Sequence, residues 1–387
     1  MGIRMKAELG DKEKTVFLSL MLNPEHSDTE RASSVSMNIF TYNKIKNNLH
    51  RTGLIRKELV PNYGLLGYEI LLSSFGNRIQ PNFPEQMGAA FGNDLLSRLP
   101  SHLLFFLSEP GQSLGFHAIE DFTSMKSGLM QAERRLFDTL GMERNEMSIV
   151  PFSFRELRIG RMFDLYRLVC DNFQCGSDVE SIEPGSPGQD VSSMSWSDFF
   201  EEGLKREPID INPQEWSILV NLVKHPMVSD RSLSEKAGIS RYRLRRIRDD
   251  LFSSRAVKPL YIPDPAYIGL DVLIFTHMKF KASVDIMEYF DRVELGLPSN
   301  IILTIMDRQD AIGVGLYPSL KEGSRAQMDM FSAMQKLNLF ESTPHIQVFS
   351  LESSTRGWPL TMAGPLEQKG DWTLDEKVFE WLKGIIQ

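Results

Sequence analysis

The chain is 387 residues long, more than one ordinary domain needs, and its 42% apolar and 24% charged content is that of a globular protein. No apolar run reaches bilayer-spanning length, and the N-terminus reads Lys6, Glu8, Asp11, Glu13 where a secretory signal would place an apolar core. A net charge of −8 excludes a protein that coats nucleic acid through bulk charge, so any such contact must come from locally clustered Lys and Arg.

Two cysteines, Cys170 and Cys175, have the spacing of neither a redox pair nor a zinc knuckle, and two thiols make no disulfide framework. The expectation is a reduced, cytoplasmic protein with no metal, no cofactor and no membrane partner. A single offset carries Leu20 onto Leu222, Pro24 onto Pro226, Asp28 onto Asp230, Phe40 onto Tyr242, Ile45 onto Ile247, Leu49 onto Leu251, Pro61 onto Pro263 and Gly67 onto Gly269. After a small deletion Gly115 falls on Gly313 and Val150 on Val348. A gapless series through turns, helices and strands identifies a tandem repeat.

In chain order, the first repeat opens with a helical unit whose turn, Val35-Ser36-Met37-Asn38, is degenerate because Ser36 stands where a tight turn favours glycine. The next stretch, Asn38 to Lys57, carries three Lys and two Arg with no acid. Strands are expected near Tyr68 to Ser74, Leu103 to Leu107, Gly115 to Ile119 and Met147 to Phe152. Helices near Phe83 to Leu96 and Phe122 to Leu140 fill the intervals, and another helix runs from Phe154 to about Phe173. A Ser-, Gly-, Pro- and acid-rich linker follows, in which Trp196, Phe199 and Phe200 form a short amphipathic segment.

The second repeat begins at Asn212-Pro213, ahead of a helix with Trp216, Leu219, Val220, Leu222 and Val223 at helical spacing. A short helix, Ser232 to Ala237, leads to the turn Gly238-Ile239-Ser240. Ser240 is a natural N-cap for the helix Arg241 to Phe252. Leu244, Ile247 and Leu251 form its inward stripe. From Ser240 to Lys258 six Arg and one Lys face only Asp249 and Asp250. Strand 271–280, helix 284–295, strand 300–306, turn Asp307 to Asp310, strand 311–316, helix 320–337 and strand 346–351 then give the order βαββαβ. Thr373 and Glu376 form a capping box for a terminal helix.

The run Ala237-Gly238-Ile239-Ser240, Arg246-Ile247, Leu251, Ala256-Val257, Pro263-Asp264 and Ile268-Gly269 resembles the Lrp/AsnC family. The resemblance implies an α+β chain of two winged helix-turn-helix domains and two ferredoxin-like βαββαβ domains arranged as a pseudo-dimer. The expected divisions are 1–62, 63–175, the linker 176–207, 208–264 and 265–387. It further implies a sequence-specific transcriptional regulator, not an enzyme and without catalytic residues, that binds double-stranded DNA. Homodimers of pseudo-dimers are a possible assembly.

DNA contacts are expected from Ser240, Arg241, Tyr242, Arg243, Arg245, Arg246 and Arg248, and in the first repeat from Asn38, Thr41, Asn43, Lys44, Lys46 and Asn47. Family members pair their α/β domains and bind small effectors such as amino acids between them. Asp307, Arg308 and Asp310 occupy the place of the strand-joining loop near that site. The first repeat has Glu109-Pro110-Gly111-Gln112 there, so two symmetric pockets are not expected.

Motifs of enzymatic chemistry are few. Gly111-Gln112-Ser113-Leu114-Gly115 matches a hydrolase elbow, but a strand follows the serine where a helix is required. Gly313-Val314-Gly315 lacks the third glycine of a dinucleotide loop. His102, His117 and His345 are scattered along the chain. Siroheme decarboxylases are an enzymatic alternative of similar build, with tandem Lrp-like halves and a histidine-bearing stretch after the winged helix. Tyr267 to Asp271 and Leu66 to Glu69 carry no histidine at that point. A winged-helix module that docks partner proteins is a further alternative.

Overall fold

The computed structural model describes residues 9–77, 103–109, 112–134, 146–163, 165–166, 168–169, 196–205, 207–289, 297–336, 338–351 and 362–367. The expected helices at 83–96 and after Thr373, both cysteines and His102 lie outside them, as does the Gly-Pro centre of the linker. The chain divides into two compact units, and each draws on three separated segments. The first holds 1–60, 158–201 and 258–348, and the second holds 61–157, 202–257 and 349–387. The elements make a mixed α/β fold.

In the first unit, α1 (Asp11–Leu22), α2 (Asp28–Ser34) and α3 (Ile39–Arg51) pack on one another around Val16, Phe17, Leu20, Tyr42 and Leu49. Ser27 and Glu30 make a reciprocal capping box at the start of α2. Strand β1 (Ile55–Pro61) pairs with β7 (Val257–Pro263) in a two-stranded ribbon. A five-stranded sheet follows in the order β11-β8-β10-β9-β6, built from β6 (Arg158–Met162), β8 (Val272–Lys279), β9 (Ile301–Met306), β10 (Asp310–Tyr317) and β11 (His345–Ser350).

Strand β6 replaces the first part of the helix expected over 154–173, while Tyr166, Leu168 and Val169 are helical. Ile159 and Met162 are buried, and the strand pairs antiparallel with β9. Its Arg161 is also buried and donates to the carbonyls of Pro298, Ile301 and Leu297 at 2.7, 2.7 and 3.2 Å. Those bonds offset the cost of taking a guanidinium out of water. The helix expected at 284–295 is a single turn of 3-10 helix at Ile286–Tyr289 in its described part.

In the second unit, β2 (Ile70–Asn77), β3 (Leu103–Glu109), β4 (Gln112–Ile119) and β5 (Glu146–Ser153) form an antiparallel sheet in the order β3-β4-β2-β5, with α4 (Phe122–Arg134) against it. Ser113 lies within β4, so no nucleophile elbow forms there. The segment predicted as linker contains α5 (Trp196–Lys205). Its Trp196 belongs with Lys258 to the first unit, and the ring lies 4.6 Å from the Lys258 ammonium, an arrangement that supports a buried cation. Helices α6 (Pro213–Lys224), α7 (Asp230–Ala237) and α8 (Arg241–Ser253) complete the second three-helix set. The short α10 (Gly364–Glu367) is held there by hydrogen bonds from the Tyr63 hydroxyl to Met362 O (2.6 Å) and from Trp216 Nε1 to Leu366 O (3.0 Å).

The sheet of the first unit positions the candidate site. Helix α9 (Leu320–Lys336) covers one face: Gly323 sits against Ile274 and Tyr317, and Thr276 donates to Gln327 at 3.1 Å. Side chains alternate along a strand. Leu273, Phe275, His277 and Lys279, with Asp310, Ile312, Val314 and Leu316 opposite them, therefore occupy the other face.

Candidate functional site

The two basic helices of the sequence prediction are present, but their charge is partly committed. Ser240 caps α8 by accepting from the Arg243 amide at 3.2 Å. Arg241, Tyr242, Arg243, Arg245 and Arg246 are exposed, Tyr242 at 81%. Asp230, one helix back, holds Arg248 at 2.6 Å and Arg245 at 3.2 Å, and Asp250 lies 3.9 Å from Arg246.

In the first repeat Asp28 makes the same clamp, here on Lys46 and Arg31. Burial pushes the Asp28 carboxyl up, and hydrogen bonds from Lys46 and Arg31 more than offset it, leaving it below the usual carboxylate range. Asn38 is the N-cap of α3, accepting from the Phe40 amide at 2.9 Å. Thr41, Lys44 and Asn47 are exposed, but the side-chain oxygen of Asn43 is buried without a hydrogen-bond partner among the described residues. The degenerate turn closes like its counterpart. Ser36 takes φ 51° and Gly238 φ 64°, and Met37 N to Ala32 O matches Ile239 N to Ser234 O.

A second constellation arises where β8, β10 and β11 lie side by side. His277 Nε2 and Asp310 Oδ1 are 2.6 Å apart across the β8–β10 ladder, both largely buried. The predicted effector turn is what presents Asp310. Within it Asp307 Oδ1 accepts the amides of Gln309 (2.9 Å) and Asp310 (2.7 Å), and Arg308 points outward in an exposed loop. His345 on β11 is held below the ordinary imidazole range, first by burial and second by the charge of His277. A hydrogen-bonded acid–imidazole pair beside a second, neutral imidazole can donate and accept protons at one place.

The first repeat lacks this pair. Register puts Phe75 opposite Leu114 where the second sheet has His277 opposite Ile312, and Gln112 stands where the second sheet has Asp310. Gln112 donates to the Glu109 carboxylate at 3.1 Å. His117 and Ser74, 3.1 Å apart, sit instead on the face that carries α4, and burial holds His117 down to about 4.

Sequence reasoning passes over His277 because it looks for a histidine at Tyr267 to Asp271. The residue lies further along, on the strand itself. The signal that would find it is a histidine and an acid on two strands joined by the predicted hairpin. No cluster of three or more His, Cys, Asp or Glu fit for a metal exists among the described residues, and no helix there is long and apolar enough to cross a membrane.

No protein-family model matches the chain, and no curated protein does. Among solved structures, siroheme decarboxylase NirDL is similar over 97% of this chain and 98% of its own, with a TM-score of 0.50 and 11% identity. LrpC of B. subtilis matches 36% of this chain and 95% of its own, with a TM-score of 0.29 and 19% identity. AsnC of E. coli matches 37% and 91%, with a TM-score of 0.28 and 12% identity. At 11% identity the likeness to NirDL shows a shared fold. The expectation of a non-enzymatic chain is corrected, because the fold likeness that spans the full chain is to an enzyme.

Proposed function

We propose that the chain is an enzyme of the siroheme-decarboxylase type, acting on a carboxylated tetrapyrrole through His277, Asp310 and His345. The reading is carried by the His277–Asp310 pair, present in one repeat and replaced by Phe75 and Gln112 in the other. The full-length fold supports it. In this mechanism the bond from a side-chain carbon to its carboxyl carbon breaks, CO2 leaves, and the electron pair stays on the carbon. The Nδ1 proton of His277, carried while the ring is doubly protonated, then neutralises that carbon, and a proton taken up from solvent restores the ring. Asp310 fixes the imidazole with its proton on Nε2, so Nδ1 is the nitrogen that exchanges protons.

The test uses the full chain with iron-uroporphyrin III, whose analogue is bound in a solved structure of NirDL. A shift of the main porphyrin absorption band on mixing, and CO2 release from a siroheme-class substrate that His277→Gln abolishes, are the expected results. A protein that stays colourless and releases no CO2 ends this reading.

The exposed Arg241, Tyr242, Arg243 and Arg246 favour a second reading, in which two winged helix-turn-helix units of a pseudo-dimer bind double-stranded DNA. Ser240, Asn38, Thr41, Lys44 and Asn47 would then border the bound duplex. Replacing Arg241 and Arg243 by Ala should reduce the log–log salt slope of binding by about one for each phosphate those arginines neutralise. An unchanged slope would mean that these side chains meet only solvent.

A further inference from the structure

We infer that Asp307 is the positioning residue of the His277–Asp310 pair, acting through the backbone of the hairpin rather than through its charge. The inference rests on the decarboxylase reading for its purpose but not for its geometry. The hairpin between β9 and β10 closes with Asp307 N donating to Asp310 O at 2.9 Å, leaving only Arg308 and Gln309 at the tip. Asp307 Oδ1 then takes both forward amides, those of Gln309 at 2.9 Å and of Asp310 itself at 2.7 Å. The Asp310 main chain is thus tied to Asp307 by its N–H and its C=O together. On the far side, Gln309 O accepts the Phe280 amide at 2.7 Å, which ties the tip to the end of β8, three residues beyond His277.

With its backbone fixed on these sides, Asp310 has its carboxylate delivered to His277 Nε2 at 2.6 Å. An Asp that accepts two amides ahead of it is a common turn device. What sets this one apart is its cargo, the acid of an acid–imidazole pair. The corresponding hairpin of the first repeat carries Glu109 and Gln112, whose side chains bond to each other, and no such pair stands beside them among the described residues.

Two substitutions separate backbone acceptance from charge. Asp307→Asn keeps an Oδ1 that can accept the two amides and removes the charge, whereas Asp307→Ala removes both. The primary readout is the ¹⁵N shifts of the His277 ring nitrogens in the full chain, assigned with His277→Gln, because these report which nitrogen carries the proton. Asp307→Asn should keep the wild-type pattern with Nε2 protonated. Asp307→Ala should average the two nitrogens toward the pattern of Asp310→Asn, while the ring signals of His117 in the other unit stay unchanged.

A wild-type pattern in Asp307→Ala would overturn the inference, and so would an Asp307→Asn pattern as altered as that of Ala. If Asp307→Ala does not fold, Asp307→Ser offers a shorter acceptor, and intermediate averaging is expected. A wild-type pattern in that variant overturns the inference as well. The second readout is the pH–rate profile of CO2 release, which Asp307→Asn should preserve and Asp307→Ala displace. Absence of CO2 release from the wild type would sink the decarboxylase reading alone, because the ring-nitrogen pattern still decides the role of Asp307.

Discussion

Acidification should loosen the four-stranded sheet through one buried imidazole. His117 lies on β4 with Nε2 3.1 Å from Ser74 Oγ, and burial holds its midpoint at about 4. In the unfolded chain the same ring titrates near 6.5, as an ordinary histidine does. Above pH 6.5 both states are neutral and the sheet keeps its full stability. Between 6.5 and about 4 only the unfolded chain takes the proton, so stability falls as the pH falls. At about 1.4 kcal/mol per pH unit the whole loss is at most about 3.5 kcal/mol, complete near pH 4, and partial exposure of the ring makes this an upper figure.

Amide hydrogen exchange of β2 and β4 at pH 7 and pH 5, corrected for intrinsic exchange, measures the loss. His117→Gln leaves a partner for Ser74 and should abolish most of the difference. His50 and His345 are also held low, both chiefly by burial, so comparison with the variant isolates His117. A His117 ring that titrates near 6.5, or a variant with undiminished pH dependence, would refute the reasoning.

Ser36→Gly should raise stability by about 1 kcal/mol and Gly238→Ala lower it by a similar amount, since both positions have positive φ; thermal denaturation of the two variants checks the opposite signs. Arg161→Met should cost about 3 kcal/mol by leaving the carbonyls of Leu297, Pro298 and Ile301 without their donor, which denaturant titration would register. Asp230→Ala should release Arg245 and Arg248 at a cost of about 1 kcal/mol to the α7–α8 pair. If α8 meets DNA, the same variant should bind it more tightly at low salt, and a gel-shift titration that shows no change would detach these arginines from any role on DNA. Gly115→Ala should be destabilising, because its Cβ would lie 2.9 Å from both His117 Nε2 and Ser74 Oγ.

Local chemistry makes much of the architecture readable in advance. Residue type marks Ser240 as a cap, and it caps. Alternating apolar residues mark β8 and β10 to within two residues at each end. These signals are local, so a one-dimensional reading can find them. The stretch 158–162 fails as a helix for the complementary reason. Ile159 and Met162 suit a helical spacing as well as a strand, and the choice falls to the edge of β9, a partner more than a hundred residues away. The candidate site is legible only in halves: Asp307, Arg308 and Asp310 stand out as a turn, but nothing local joins His277 to them.

Sequence alone marked the repeat, the start of the helix that Ser240 caps and the basic stretches, because repeats, caps and charge are properties of residue order. Only the tertiary structure decided how those charges are spent. Asp230 and Asp28 reach across a turn to bind cations that composition had counted as available, and antiparallel register brings His277 within a hydrogen bond of Asp310. Pairing of that kind depends on separations of a few ångströms between residues distant along the chain. No count of residue types contains those distances; the packing of strands and helices sets them.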